Sequence, residues 1–433
     1  MSSTHARIGI IGAGFVGAAV AGLLADDSRQ SALLDASTIP MEVAGIAVRD
    51  VARPRPELAT QWWLGSVDEL FMRDLDVLVE VAGDPDVMAD VVDAALRAGI
   101  SVVTANKALM ARHGTQLAET AHAAGVDLFY EASVAGGIPI IRALRTSLAG
   151  ERMSRIMGIV NGTTNFILTT MTQSGSDYQT ALAEAQRLGY AEADPTADVE
   201  GFDAAAKLVI LSSLAFGTAM DGLAISTSGI TAIRDGDIRF VSKMGFVIKL
   251  IAVAQRVGEN GVARYVGPTL VPASHPLAAI NGAMNAVMVE GDKSGPLVWS
   301  GRGAGGEPTA TAVLGDVIEA VRNKAAGRHD VPFSVDSSIE LIATAEVSSR
   351  FYLSLDVFDR PGVLAQVANV FGEFGISIQS MEQVGVGDEA QLFFITHDTT
   401  TAAIDHTMAS LGRLSAVGRV GCCLRLLATE ESP

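Results

Sequence analysis

A glycine pattern near the start of the chain limits the fold more than any other feature. The apolar run Arg7–Ile11 leads into Gly12-Ala-Gly14-Phe-Val-Gly17, and a helical pattern follows to Leu24. In a strand–GxGxxG–helix unit each glycine answers a separate demand. Gly12 makes the tight turn, Gly14 lets the backbone approach a pyrophosphate, and Gly17 lets the helix pack on the strand, while the helix N-terminus favours negative charge. The motif therefore predicts a dinucleotide at Gly12, Gly14, Phe15, Val16 and Gly17.

The residues that follow keep the same rhythm. Strands are expected at Val43–Val48, Val77–Val81, Ser101–Thr104 and Leu128–Glu131, with helices at Asp86–Ala98 and Lys107–Ala124. Such alternation implies a Rossmann-like parallel sheet covered by helices on both faces. The second strand ends at Arg49-Asp50. Arg49 is placed to meet a 2′-phosphate and Asp50 to meet a ribose, although an ordinary surface pair has the same spelling. The cofactor is NADP or NAD, with the lean toward NADP. Thr104 and Lys107 stand at the carboxyl end of a strand, the edge where open parallel sheets bind ligands.

Residues 1–150 thus form the cofactor domain, completed by 301–325. Residues 151–300 are expected as an α+β substrate and dimerisation domain with a mixed sheet and helices on one side. Its strands are placed at Ile156–Val160, Lys243–Ala254, Ala263–Pro272 and Asn285–Glu290, and its helices at Phe166–Gly175 and Gly201–Phe216. The glycine-rich stretch from Gly301 leads into a helix. A linker with Gly327 and Pro332 covers 326–350. Residues 351–433 read strand–helix–strand–strand–helix–strand, the ferredoxin-like βαββαβ unit, which can bury a core of its own.

Composition bounds the function classes. A chain of 433 residues suits two or three domains. A formal charge of −18 argues against nucleic-acid partners and anionic membranes, which call for a basic footprint. The two cysteines, Cys422 and Cys423, form no disulfide framework, which fits a reducing compartment. No apolar run reaches a membrane-spanning length, and MSSTHARIGIIGAGFVG lacks the layout of a secretory leader. The expectation is a cytoplasmic protein.

The richest stretch for chemistry is LGYAEADPTADVEGFDAAAKL. If Gly201–Phe216 is helical, Asp203, Lys207, Ile210, Leu211 and Leu214 share one face. A lysine there is either a surface ion pair or a partly buried proton carrier tuned by its carboxylate neighbour. Spacing alone leaves both open.

GIIGAGFVG, VVTANKALM, YEASVAGGIPII, IVNGTTNFIL, LGYAEADPTADVEGFDAAAKL and GRGAGGEPTATAVLGD together resemble homoserine dehydrogenase of the long bacterial type. LDVFDRPGVLAQVANVFGEFGISIQSM is similar to the ACT signature that this type carries at its C-terminus. The resemblance covers nearly the whole chain. It implies reversible NAD(P)H-dependent reduction of L-aspartate 4-semialdehyde to L-homoserine. It makes Lys207 the acid–base lysine with Asp203 as partner, and Lys107 a second lysine near cofactor and substrate oxygen. Glu192 and Asp198 become substrate-pocket acids, with Asp194 and Glu200 left to solvate the loop. Gly303 and its neighbours close over the nicotinamide side. Glu131, Val134, Gly136 and Ile138 become a structural site for a monovalent cation (Na or K), held by backbone carbonyls and the Glu131 side chain. The ACT domain implies feedback by an amino acid, usually threonine, near Asp359–Gly362, and the family implies a homodimer or homotetramer. A contrasting reading is an amino-acid sensor that binds nucleotide without turnover. The four residues Lys107, Lys207, Asp203 and Glu192 together favour the enzyme.

Overall fold

A computed structural model describes residues 5–427, apart from 56, 57, 59–61, 63, 223, 224, 332 and 387. Pro332 of the expected linker and the first four residues of the N-terminal stretch lie outside that set.

The first sheet runs Leu64–Gly65, Met41–Ala47, Ala6–Ile11, Val77–Glu80, Ser101–Thr104, Leu128–Phe129, with every neighbouring pair parallel. Strand order reverses between Ala6–Ile11 and Val77–Glu80, so a ligand crevice opens there, above the carboxyl ends. Gly12 sits at that point with φ +103°, a conformation that disfavours L side chains. A Cβ on Gly17 would lie 2.0 Å from the Gly12 carbonyl oxygen, so only glycine allows this helix, Phe15–Ala25, to approach the turn. The chain returns to this domain through the helix Gly306–Ala325, which packs its Ala310, Val313, Val317 and Val321 into the same core as Ile8, Ile10 and Val20.

The second sheet is larger than its expected domain. Among the described residues its main path runs Gly295–Arg302, Met284–Gly291, Met153–Ile159, Phe246–Val257, Gly261–Pro272, Val417–Leu426, Phe351–Phe358, Glu389–Thr396, Ile378–Val386. The first five strands are antiparallel. The last four belong to the βαββαβ unit, with helices Val363–Glu373 and Thr401–Leu411. The join is a short parallel pairing, Thr269 with Arg425 and Leu270 with Leu426. The C-terminal unit keeps its own core around Phe371 and Phe394, yet it shares a sheet with the middle of the chain. The expected linker is also used: Glu340–Ile342 pairs in parallel with Gly261–Ala263.

Several expected boundaries shift for local reasons. The strand at Leu128 stops at Phe129, because Glu131–Ser133 turns into a 3₁₀ segment. Lys243 ends a helix, Asp235–Lys243, and the strand begins at Phe246. The helix placed at Phe166–Gly175 begins at Gly162, capped by the Asn161 side chain. The strand Gly295–Arg302 was not placed from the sequence, because Pro296, Leu297, Val298 and Trp299 are all apolar and show no alternation; it is an edge strand with alternate residues exposed.

One buried contact fastens the C-terminal unit to the middle region. The Tyr352 hydroxyl donates to Asp237 at 2.7 Å, and its ring lies in a stack with Phe240 and Phe393. Tyr352→Phe leaves the stack but strips a buried carboxylate oxygen of its donor. It is expected to cost about 1–3 kcal/mol, the range for an orphaned buried acceptor, measured as a lower midpoint in urea unfolding.

Candidate active site between the glycine loop and two lysines

The site is assembled at the carboxyl edge of the parallel sheet. Lys107 opens the helix Lys107–Ala124, behind an Asn106 cap that accepts from the Leu109 amide at 3.1 Å. Lys207 comes from the helix Phe202–Phe216, which starts after Gly201 in the left-handed region and carries Asp203 in its first turn. The two lysines converge on one carboxylate. Asp203 Oδ1 is 2.8 Å from Lys107 Nζ, and Oδ2 is 2.7 Å from Lys207 Nζ. Lys207 Nζ also donates to the Val160 carbonyl at 2.7 Å.

Burial separates the two lysines. The Lys207 side chain is 11% exposed and that of Lys107 44%, so Lys207 is no surface ion pair. Burial alone would push the Asp203 carboxyl up, but the ammonium groups of Lys207 and Lys107 outweigh it and hold the carboxyl well below the usual range. For Lys107 burial works against the charge, yet Asp203, with Asp198 and Glu192 farther off, raises its pKa.

Asn161, from the IVNGTTNFIL stretch that carries part of the resemblance, completes the cluster. Its Oδ1 accepts from the Thr164 amide at 2.8 Å, which caps the helix. Its Nδ2 donates to Asp198 at 2.7 Å and Asp203 at 2.9 Å. An amide suits this position because one side chain offers an acceptor to a helix end and donors to two carboxylates. The NGTTN stretch held the signal for the cap, and only the tertiary structure adds the second use.

The acidic loop divides by role. Asp194 accepts from the amide and hydroxyl of Thr196 and so caps its own turn. Glu200 accepts from Thr231 at 3.3 Å. Asp198 is half-buried in the lysine cluster, and Glu192 is exposed at its rim.

Two adjoining cavities flank the glycine loop. One, of about 460 Å³, is lined by Val16, Lys107, Lys207, Gly136, Gly303 and Thr309. The other, of about 880 Å³, runs past Gly12, Gly14, Arg49, Asp50, Arg53 and Arg55. Space for a Cβ at Gly14 is open, so the backbone there can be approached. These features fit a dinucleotide lying across the crevice with its reactive end toward the lysines. Asp50 closes its own turn by accepting from the Ala52 amide at 2.9 Å, whereas Arg49 and Arg53 are exposed on the groove. Phe15 is 92% exposed beside the same loop. Thr104 differs from expectation: its buried hydroxyl donates to Glu80 at 2.5 Å and accepts from the Asn106 amide, so it braces two strand ends. Thr104 as a whole is fully buried, and it lines neither cavity.

In the loop from Glu131 to Ile138 the one carboxylate is engaged within the chain. Both Glu131 carboxylate oxygens are taken, by the amides of Ile141 and Arg142 at 2.8 Å each. The side chain caps the short helix that starts at Ile140. Ala135 and Gly136 both have positive φ, +55° and +51°, and a Cβ on Gly136 would lie 2.6 Å from the Gly303 carbonyl oxygen. The Gly303 loop therefore rests directly on this turn.

The chain matches the family models Homoserine dehydrogenase at residues 139–318, Homoserine dehydrogenase, NAD binding domain, at 12–131, and ACT domain at 351–416. It is 44% identical to a homoserine dehydrogenase of Corynebacterium glutamicum, covering 97% of this chain and 95% of that protein. It is 42% identical to one of Mycobacterium tuberculosis, with 98% of each covered. Among solved structures it is similar to a homoserine dehydrogenase from Thiobacillus denitrificans, with TM-score 0.90, 37% identity and 98% of each chain covered. A hyperthermophilic archaeal homoserine dehydrogenase in complex with NADPH matches with TM-score 0.61 and 29% identity, over 73% of this chain and 97% of that one.

The depressed Asp203 carboxyl has a pH consequence. A carboxyl held low in the folded state contributes stability that is complete above its unfolded value, near 3.8, and is lost as pH falls below it. Asp203→Asn is expected to lower stability at neutral pH. The gap between wild type and variant should shrink as pH drops below about 4, read as the difference in urea midpoints.

Proposed function

Because the chain belongs to the homoserine dehydrogenase family and is an NAD(P)-dependent oxidoreductase with a C-terminal ACT domain, we propose that Lys207 is its acid–base group in the interconversion of L-aspartate 4-semialdehyde and L-homoserine. The observation that carries this is the Lys207–Asp203 pair, nearly buried, on the wall of the cavity shared with the glycine loop. A bound nicotinamide supplies the hydride, or takes it up in reverse. The chain's own residues do the rest. Lys207 gives a proton to the nascent alkoxide and recovers it in the other direction. Asp203 and the Val160 carbonyl fix its ammonium. Lys107, more exposed, meets the substrate oxygen, and Glu192 and Asp198 meet the substrate ammonium. Gly12, Gly14, Val16 and Gly17 hold the pyrophosphate side, with Phe15 and Gly303 bordering the nicotinamide side.

Selection of NADP is supported by the arginines Arg49, Arg53 and Arg55 on the far groove, where a 2′-phosphate would add two negative charges. A monovalent cation among the carbonyls of Glu131, Val134, Gly136 and Ile138 would brace the turn that carries Gly136 against Gly303. Threonine at Asp359–Gly362 would act through the shared sheet, and a second copy would stack on the outer sheet face near Met284 and Val298, both about two-fifths exposed. No helix among the described residues is long and apolar enough to cross a membrane.

Lys207→Ala is expected to lower kcat by roughly a hundredfold or more, the scale of a lost general acid or base, with cofactor affinity little changed. Equal loss of NADPH binding in a fluorescence titration would make Lys207 a cofactor contact instead. Arg49→Ala with Arg53→Ala should raise KM for NADP about tenfold or more and leave KM for NAD alone, since a lost charged contact is worth about 1.5–3 kcal/mol. Feedback is better tested by Asp359→Ala than by truncation at residue 350, because truncation strips the strand Gly261–Pro272 of a neighbour. Inhibition by threonine should vanish while kcat stays.

A further inference from the structure

Lys249 is a buried ammonium that the acid–base scheme does not use. It lies in the strand Phe246–Val257 and is 2% exposed. The neighbouring strand Met153–Ile159 stops short of it. The last paired residues are Gly158 and Ala252, and beyond Val160 the chain turns away into the helix Gly162–Ser174. Lys249 fills the gap this leaves. Its Nζ donates to the Asn165 side-chain oxygen at 3.1 Å, the Ile280 carbonyl at 2.6 Å and the Asn281 side-chain oxygen at 3.1 Å. All three acceptors are neutral, and burial lowers the lysine pKa to about 8. A buried charge without a counter-charge is unfavourable. What an ammonium provides in return is three donors at one point, which no apolar filler offers.

Those three bonds lead to the acid–base pair. The Asn165 Nδ2 donates to the carbonyls of Ile280 and Met284 at 3.1 and 3.0 Å, and its backbone amide donates to the Asn161 carbonyl at 3.3 Å. The Gly282 amide donates to the Thr169 hydroxyl at 3.1 Å. The opening turns of the helix and residues 280–284 are thus locked together around Lys249. The two residues just before that helix are the ones that touch the site. Val160 gives its carbonyl to Lys207, and Asn161 gives its amide hydrogens to Asp203 and Asp198. Lys249 lines neither of the cavities beside the glycine loop, so any influence it has on the reaction passes through these neighbours.

We propose that Lys249 is a positioning residue for the dehydrogenase reaction: by holding Asn165 and residues 280–281 where the neighbouring strand leaves the sheet, it fixes Val160 and Asn161 against the Lys207–Asp203 pair. This rests on the acid–base reading of Lys207.

The test combines kinetics and cofactor binding on the full-length protein. Lys249→Met nearly matches the lysine stem and removes the donors. Its kcat for homoserine oxidation should fall about tenfold or more, the scale of a slightly misplaced reacting group, while Kd for NADPH in a fluorescence titration stays within about twofold. A merely structural role would lower the melting temperature without this split. The second readout is a double-mutant cycle. Added to Asn161→Ala, Lys249→Met should cost kcat little more, because both changes act through one segment. Should Lys249→Met fail to fold, Asn281→Ala removes one acceptor at an exposed position. It should show the same split at about twofold to threefold, the effect of one weakened hydrogen bond. The proposal fails if Lys249→Met, or Asn281→Ala in its place, keeps the wild-type kcat. It fails as well if kcat and NADPH affinity fall together, or if the kcat losses of Lys249→Met and Asn161→Ala multiply. Failure of the acid–base reading is a separate result, seen as a wild-type kcat in Lys207→Ala.

Discussion

One buried carboxylate holds the working part of this protein together. Asp203 takes a lysine on each oxygen, Lys107 from the cofactor domain and Lys207 from its own helix, and an amide hydrogen from Asn161 on a third element. Burying a carboxylate is unfavourable unless its charge and lone pairs are all met. The three elements are thus bound to one arrangement, because moving any of them leaves a charge unpaired. The same contacts keep Lys207 beside the cavity with two of its protons engaged and its charge compensated, as the proposed acid–base role requires.

The second organising feature is the sheet that passes from the substrate region into the ACT domain. The strand Gly261–Pro272 is paired on one side with Phe246–Val257 and on the other with Val417–Leu426. Parts of that sheet and the helix Phe202–Phe216, which carries Asp203 and Lys207, share one core: Leu208 and Leu211 lie in the same apolar cluster as Leu250, Val266 and Leu270. Tyr352 and Leu424 of the ACT domain join it as well. A change in the ACT domain that shifts its edge strand would therefore press on the packing under the lysines. This physical continuity is what a feedback signal would use.

Much of this was legible from residue order. The glycine loop, the parallel sheet, the βαββαβ unit and the lysine helix follow from periodicity and local sterics, which act over a few residues. The Asp203–Lys207 spacing likewise put both on one helix face. The convergence of Lys107 on the same carboxylate was not legible, since nothing local links residues a hundred positions apart. Asn161 was legible as a cap but not as a donor to Asp198 and Asp203. The use of the Glu131 side chain as a cap was not legible for a similar reason: its partners, the amides of Ile141 and Arg142, are free only because a short helix begins there. Gly295–Arg302 hid a strand because Pro296, Leu297, Val298 and Trp299 are all apolar, so the exposed and covered faces spell alike.

By itself the sequence determined the kind of chemistry and the local elements, because turn geometry, helix capping and a phosphate-cradling loop depend on neighbours in the chain. The tertiary structure alone decided which lysine is sheltered and which is open to solvent. It also decided that the C-terminal unit extends the middle sheet. Those outcomes depend on burial and on the pairing of charges across distant segments, and both arise only when the chain closes on itself.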